Sequence, residues 1–152
     1  DIHKVKVKGE SFIVCVGLYD EKPYEVFVFR LKHNVPLSDN NGTITKKSKG
    51  VYSLDSSELK IANLLNTDIS VEEKAATLYS SMLLRHGINI KYIIKTAKKV
   101  NDNIASFSSA MCRVLARYVP VTTEGKCPEC GADLVHEGGC IHCSQCSYSK
   151  CE

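Results

Sequence analysis

The run Tyr24-Glu25-Val26-Phe27-Val28-Phe29-Arg30 decides how the first half of this chain folds. It is apolar on both faces, the pattern of a strand that other elements cover. Toward the N-terminus, Asp20-Glu21-Lys22-Pro23 reads as a turn and Phe12 to Val16 as a β-branched apolar strand. Gly9-Glu10 reads as a second turn, preceded by Val5 and Val7 alternating with lysines. In the other direction, the polar loop Ser38-Asp39-Asn40-Asn41-Gly42 leads into Thr43-Ile44-Thr45-Lys46 and then Gly50-Val51-Tyr52-Ser53-Leu54. These last two segments predict a short hairpin. Lys46, Lys47 and Lys49 belong to its solvated outer face rather than to a binding patch.

Beyond the strands the period changes to that of a helix. Ser70-x-x-Glu73 fits a capping box, and Val71, Ala75, Leu78, Tyr79, Met82 and Leu83 recur at helical spacing before Gly87 stops the run. Asn89 caps a short helix through Lys99, with Ile90, Ile93, Ile94 and Ala97 as its buried side. A third helix opens at Asn101 or Asp102, carries Ile104, Phe107, Met111, Val114, Leu115 and Tyr118 on one stripe, and ends before Pro120. Cys112 neighbours that stripe and reads as a packing thiol. Strands followed by helices predict an α+β body, a small antiparallel sheet with a helical bundle on one side. The body spans 1–121, with strands mainly in 1–55 and helices in 70–119. Thr122-Thr123-Glu124-Gly125 is the linker, and 126–152 is a cysteine-rich ribbon.

Composition sets the outer bounds. The chain has 152 residues, 43% hydrophobic and 24% charged, which excludes wholesale disorder. Its longest apolar run, Phe12 to Tyr19, falls far short of the ~20 residues a membrane helix needs. No secretory leader is visible and the cysteines are clustered, so a cytoplasmic location is expected. A first residue of Asp1 hints at processing or at a piece of something longer.

Of eight cysteines, six (Cys127, Cys130, Cys140, Cys143, Cys146 and Cys151) sit in the last 26 residues. Cys127-Pro128-Glu129-Cys130-Gly131 and Cys143-Ser144-Gln145-Cys146-Ser147-Tyr148 are two knuckles, separated by twelve residues. Two-residue spacing lets both sulfurs of a knuckle face one ion, and two knuckles supply tetrahedral all-sulfur ligation at ~2.3 Å. Asp133-Leu134-Val135-His136 and Gly138-Gly139 suggest a hairpin between them. The pattern is that of a zinc ribbon, with Cys127, Cys130, Cys143 and Cys146 as ligands of Zn²⁺. Four-cysteine spacing by itself also suits an iron–sulfur cluster. His136 and His142 are alternative ligands that the supply of sulfurs makes unnecessary.

Two sulfurs are left over. Cys140 precedes the second knuckle by C-x2-C and Cys151 follows it by C-x4-C, so several four-sulfur sets can be drawn. Free thiols beside a thiolate set can exchange disulfides, since attack needs thiolate and access. Ser149-Lys150-Cys151-Glu152 reads as a flexible end on which a cysteine can swing, with Lys150 favouring its thiolate. Cys140 and Cys151 are therefore candidate redox residues. No nucleophile motif, phosphate loop or catalytic carboxylate pair is present.

Charge weighs against the commonest alternative for a ribbon, nucleic-acid binding. From Lys126 onward two basic residues stand against four acidic ones, so the tail carries −2 and the body +5 of the net +3. Four thiolates around Zn²⁺ bring the tail to roughly −4, a sign that repels phosphate. The other alternative is an inert structural or oligomerisation ribbon.

The tail, from Cys127-Pro-Glu-Cys-Gly131 through Glu137-Gly-Gly-Cys140 to Cys143, Cys146 and Ser149-Lys-Cys151, resembles the C-terminal cysteine-rich domain of adenosylcobalamin-dependent (class II) ribonucleotide reductases. Lys22-Pro-Tyr-Glu-Val-Phe-Val-Phe29 is similar to the Pro-Phe-Glu-Val-Phe segment of those enzymes. Leu78 to Lys95 looks like the helical pair of the same domain. The chain departs from the family at Ser147, where the knuckle commonly has glycine. At Asn63 to Ile69 it lacks the small-residue motif expected ahead of the first helix. The catalytic barrel, with its adenosylcobalamin and nucleotide sites, does not fit in this length, so no barrel residue is carried over.

The resemblance implies a part of a ribonucleoside-diphosphate reductase whose role is electron delivery. Reduction of a ribonucleotide leaves a disulfide in the active site, and C-terminal thiols reduce it by exchange. The implied partners are the catalytic barrel, on the same or a separate chain, and a dithiol protein reductant that recharges the tail. Whether Cys151 pairs with Cys140 or with Cys146 stays open.

Overall fold

The first elements follow directly from two-residue turns. In a computed structural model, which describes residues 1–30, 37, 40–99, 105–119, 125–137 and 140–151 (105, 136, 137 and 151 by backbone alone), strand β1 spans Ile2–Val7 and β2 spans Glu10–Tyr19. They are joined by Lys8 and Gly9, both at positive φ (48° and 87°), the twist that matches antiparallel strands. Strand β3, Lys22–Arg30, follows Asp20 and Glu21, which take the same left-handed conformation (φ 48° and 61°) without a glycine. The first turn is thus one residue earlier than expected and the second two residues shorter, so that Lys22 and Pro23 already belong to β3. Pro23 sits on an edge strand beside a register shift at Gly17/Leu18, where a missing N–H is tolerated.

The antiparallel order β1-β2-β3 leaves the central strands apolar on both faces, and each face has its own core. Val5, Val7, Phe12, Val14, Val16, Val26 and Val28 form one. They pack against helices α1 (Val71–Arg85), α2 (Ile90–Ala97) and α3 (Ala105–Leu115). Ile2, Ile13, Cys15, Phe27 and Phe29 form the other, beneath Tyr52, Leu54, Leu59, Leu64 and Leu65. That second cover comes from β4 (Thr43–Ser48), β5 (Val51–Asp55), β6 (Lys60–Ile61) and a 3-10 turn at Leu64–Asn66 capped by Asn63. The expected α+β body with helices on one side is present. Its other face is covered by a second small sheet that the sequence showed only as a solvated hairpin.

The capping box is complete, Ser70 Oγ accepting from the Glu73 amide and Glu73 returning a bond to the Ser70 amide, and Gly87 closes the helix at φ 71°. The buried side of α1, however, follows the expected apolar stripe only in part, through the half-buried Leu78 and Leu83, which pack against the two cores. Val71, Tyr79 and Met82 are exposed (77%, 65% and 44%), and the buried residues are Glu73, Thr77, Ser80, Ser81 and Leu84. The reason is that α1 packs against edge strand β3, whose free backbone groups need partners. Ser81 Oγ accepts from the Val26 N–H (3.0 Å) and donates to the Val26 carbonyl (3.0 Å), which also accepts from Thr77 (2.7 Å). Arg30 meets Glu73 through two bonds of 2.7 Å.

α2 and α3 bury the residues expected of them, Ile90 and Ile93 on one and Phe107, Met111, Val114 and Leu115 on the other. The expected caps at Asn101 or Asp102, the stripe residue Ile104 and the linker residues Thr122 to Glu124 lie outside the described residues. The chain divides into two units, Asp1–Val119 and Pro120–Glu152. Among the described residues, no helix is long and apolar enough to cross a membrane.

Candidate metal and thiol site

In the second unit, the expected hairpin is β7 (Leu134–Glu137) and β8 (Cys140–Cys143), with Gly138-Gly139 outside the described residues. A third strand, β9 (Ser149–Cys151), pairs with β8, Cys140 facing Cys151 in register. Residues 149–151 are therefore a paired strand rather than the free end expected. Gly125 continues the sheet through a bond from the Leu134 amide, and Lys126 pairs with Asp133 at 2.6 Å.

The first knuckle turns tightly because Gly131 takes φ 75° and its amide bonds back to the Cys127 carbonyl. The second has no such need. Ser147 is not among the residues at positive φ, so serine serves where the resembling family commonly has glycine. The Cys143 amide bonds instead to the Tyr148 carbonyl at 2.8 Å.

These two turns bring together the sulfurs of Cys127, Cys130, Cys143 and Cys146, all within 4.8 Å of one another. Cys127 to Cys146 is 3.5 Å and Cys130 to Cys143 is 3.4 Å. Such separations are too long for a disulfide, whose sulfurs lie ~2.05 Å apart. They are close to the roughly 3.8 Å edge of a tetrahedron with ~2.3 Å metal–sulfur bonds. The amides of Glu129 and Gln145 point at the sulfurs of Cys127 and Cys143, at 3.4 and 3.3 Å, as donors that stabilise thiolates. With the Gln145 amide as the leading cause, the Cys143 thiol falls to about 7. The four cysteines fit a single metal ion. His142 is not in the group, and the side chain of His136 lies outside the described residues.

Cys140 stands apart. It is disulfide-bonded, while Cys15, Cys112 and the four clustered cysteines are free. Cys15 and Cys112 are packing thiols. Burial pushes Cys15 up to about 12 and raises Cys112 as well, which leaves both inert at neutral pH. The body also has a cleft of about 440 Å³, which sequence reasoning did not find because it forms between β2 and the start of β4. Among its described lining residues the only sulfur is that of Cys15, fully buried.

An α+β body followed by a ribbon with four convergent cysteines defines a domain with an appendage whose sulfurs could hold a metal ion. The family described as NrdJ homologue C-terminal domain matches residues 1–120, and the chain belongs to that family. NrdJ is the adenosylcobalamin-dependent, class II ribonucleotide reductase, so the chain is a module related to that enzyme. The match lies on the body and ends before the six cysteines of the tail, although the tail looked the more specific part of the resemblance. No curated protein and no solved structure matches the chain.

Proposed function

We propose that the chain is the electron-delivery module of a ribonucleotide reductase, its tail relaying reducing equivalents by thiol–disulfide exchange to the disulfide that each turnover leaves in the active site. The observation that carries this reading is the disulfide-bonded Cys140, on a strand whose neighbour sets Cys151 opposite it. Membership of the family supports a catalytic part of the reductase as the partner, and in this reading that part is the barrel that binds adenosylcobalamin. A dithiol protein recharges the tail from outside.

In this reading Cys127, Cys130, Cys143 and Cys146 hold Zn²⁺, which has no redox chemistry of its own. The ion holds two turns in place in a segment too short to build a core. Zinc is preferred because the four sulfurs surround one point. A multi-iron cluster between them would push them farther apart. The residues do the rest: the Glu129 and Gln145 amides stabilise thiolates, and β8 presents Cys140.

The test is turnover of the full reductase with Cys140→Ser or Cys151→Ser. Each variant is expected to lose more than tenfold activity with a protein dithiol and to recover it with a small reductant that enters the active site directly. Unchanged activity with the protein dithiol would leave the ribbon as an inert structural element.

A further inference from the structure

We propose that the cleft between β2 and the start of β4 binds a small organic cation, an amine or amidine that lays its apolar body on Tyr19 and Tyr24 and gives its N–H groups to Glu25. The site lies within the body and goes beyond the electron-delivery reading, on which it does not depend.

The cleft is built by an absent side chain. Gly17 of β2 pairs with Glu25 of β3, and a Cβ at Gly17 would stand 3.4 Å from Ile44 Cδ1 and 3.5 Å from Glu25 Cβ. Glycine therefore leaves open the space where the two sheets of the body part. The register shift at Gly17/Leu18 falls at the same point, and such shifts re-aim the side chains that follow. What results is a cavity of about 440 Å³, inside the ~300–1,000 Å³ range of small-molecule sites. Ile44 and Leu54 line it with apolar surface, and the exposed Leu18, Tyr19 and Tyr24 stand at its opening.

Glu25 gives the cleft its chemistry. Its Oε2 is buried without a hydrogen-bond partner, alone in this among the described side chains. A buried carboxylate oxygen with no donor is costly, and folded proteins keep few of them. Burial raises the carboxyl, and Arg85 and Lys46 oppose that rise, which favours the ionised form. Neither of those cations is among the described residues that line the cleft. A donor from a bound molecule is what the site lacks, and a turn of the carboxyl about its last bond brings either oxygen to it.

The surroundings select the class of donor. The rings of Tyr19 and Tyr24 lie 5.5 Å apart and tilted by 43°. Aromatic faces attract a positive charge, and a carboxylate takes the N–H groups of an ammonium or amidinium in charge-assisted bonds. A hard metal ion fits less well, since it needs about six oxygen ligands and apolar walls supply none. An anion would meet the carboxylate, and a neutral apolar molecule would leave Oε2 as it is.

The test uses the full chain and benzamidine as the probe, with benzoate as its match in shape and opposite in charge. Binding is read by calorimetry and by amide chemical shifts, and the amide spectrum reports the fold of each variant separately. Benzamidine is expected to bind with a Kd of about 1 mM or tighter, as its size allows, and to shift the amides of Gly17, Tyr19 and Glu25. Benzoate and the Glu25→Gln variant should each weaken binding about tenfold or more. Tyr19→Ala, at an exposed position, should weaken it about threefold. Benzoate binding as tightly as benzamidine would overturn the proposal and make the cleft an anion site governed by Lys46 and Arg85. Undiminished benzamidine binding by a folded Glu25→Gln, or no shift at the cleft with benzamidine well above 1 mM, would also overturn it. None of these outcomes bears on the ribbon's role.

Discussion

Glu73 does two jobs that reach the sequence reader very unequally. Its bond to the Ser70 amide belongs to a local motif and was legible as a capping box. Its bidentate pairing with Arg30 was not, because the partner is 43 residues away and only the α1–β3 packing brings them together. Burial by itself would raise the Glu73 carboxyl, but the Arg30 guanidinium and the Ser70 amide outweigh it and hold it below the ordinary range. A depressed folded-state value means the stabilisation is fully present above the unfolded carboxylate pKa, ~4.3, and is lost as pH falls through the lower folded value. Arg30 keeps 28% of its side chain exposed, which screens the pair. Glu73→Gln should therefore cost about 1–3 kcal/mol at neutral pH, less than a fully buried pair. It should also flatten the loss of stability on acidification below about pH 4.3, measured by urea unfolding across that range.

Among the elements, α1 is where periodicity misled. Val71, Ala75, Tyr79 and Met82 recur as a core stripe would, yet the face turned inward carries Thr77 and Ser81. Hydrophobic pattern cannot reveal this, because α1 covers the hydrogen-bonding edge of β3 as well as the apolar core that Leu83 and Leu84 meet. Ser81→Ala should leave the buried Val26 N–H without its partner and cost about 1–3 kcal/mol in chemical denaturation. Thr77→Val should cost less, since the Val26 carbonyl keeps Ser81. β2 and β3 were legible for the opposite reason: their apolar runs on both faces demand two covers, and the structure provides both. The turn at Asp20-Glu21 was drawn two residues too long, because neither residue is the glycine or asparagine that usually marks left-handed backbone. β9 was missed since three residues carry no readable period, and its pairing became visible only in the register opposite β8.

For the molecule as a whole, the cysteine spacing picked out the four sulfurs that converge, and the body gave the family. What spacing could not decide was the fate of Cys140, since overlapping C-x2-C pairs look alike until one of them is seen to straddle a strand. The body has its own two cores, and the ribbon has none beyond its strands and four sulfurs. Chelation of the metal should thus unfold the ribbon alone, with amide exchange rising across 126–151 and the body's melting transition retained.

The central claim, that the tail stores electrons for the reductase, is tested most directly by counting product in the absence of any external reductant. Each ribonucleotide reduced consumes one dithiol, so a fully pre-reduced enzyme with an active-site pair and a charged tail should form about two deoxyribonucleotides per chain. Cys151→Ser should form about one. Equal yields from the two proteins would contradict the account.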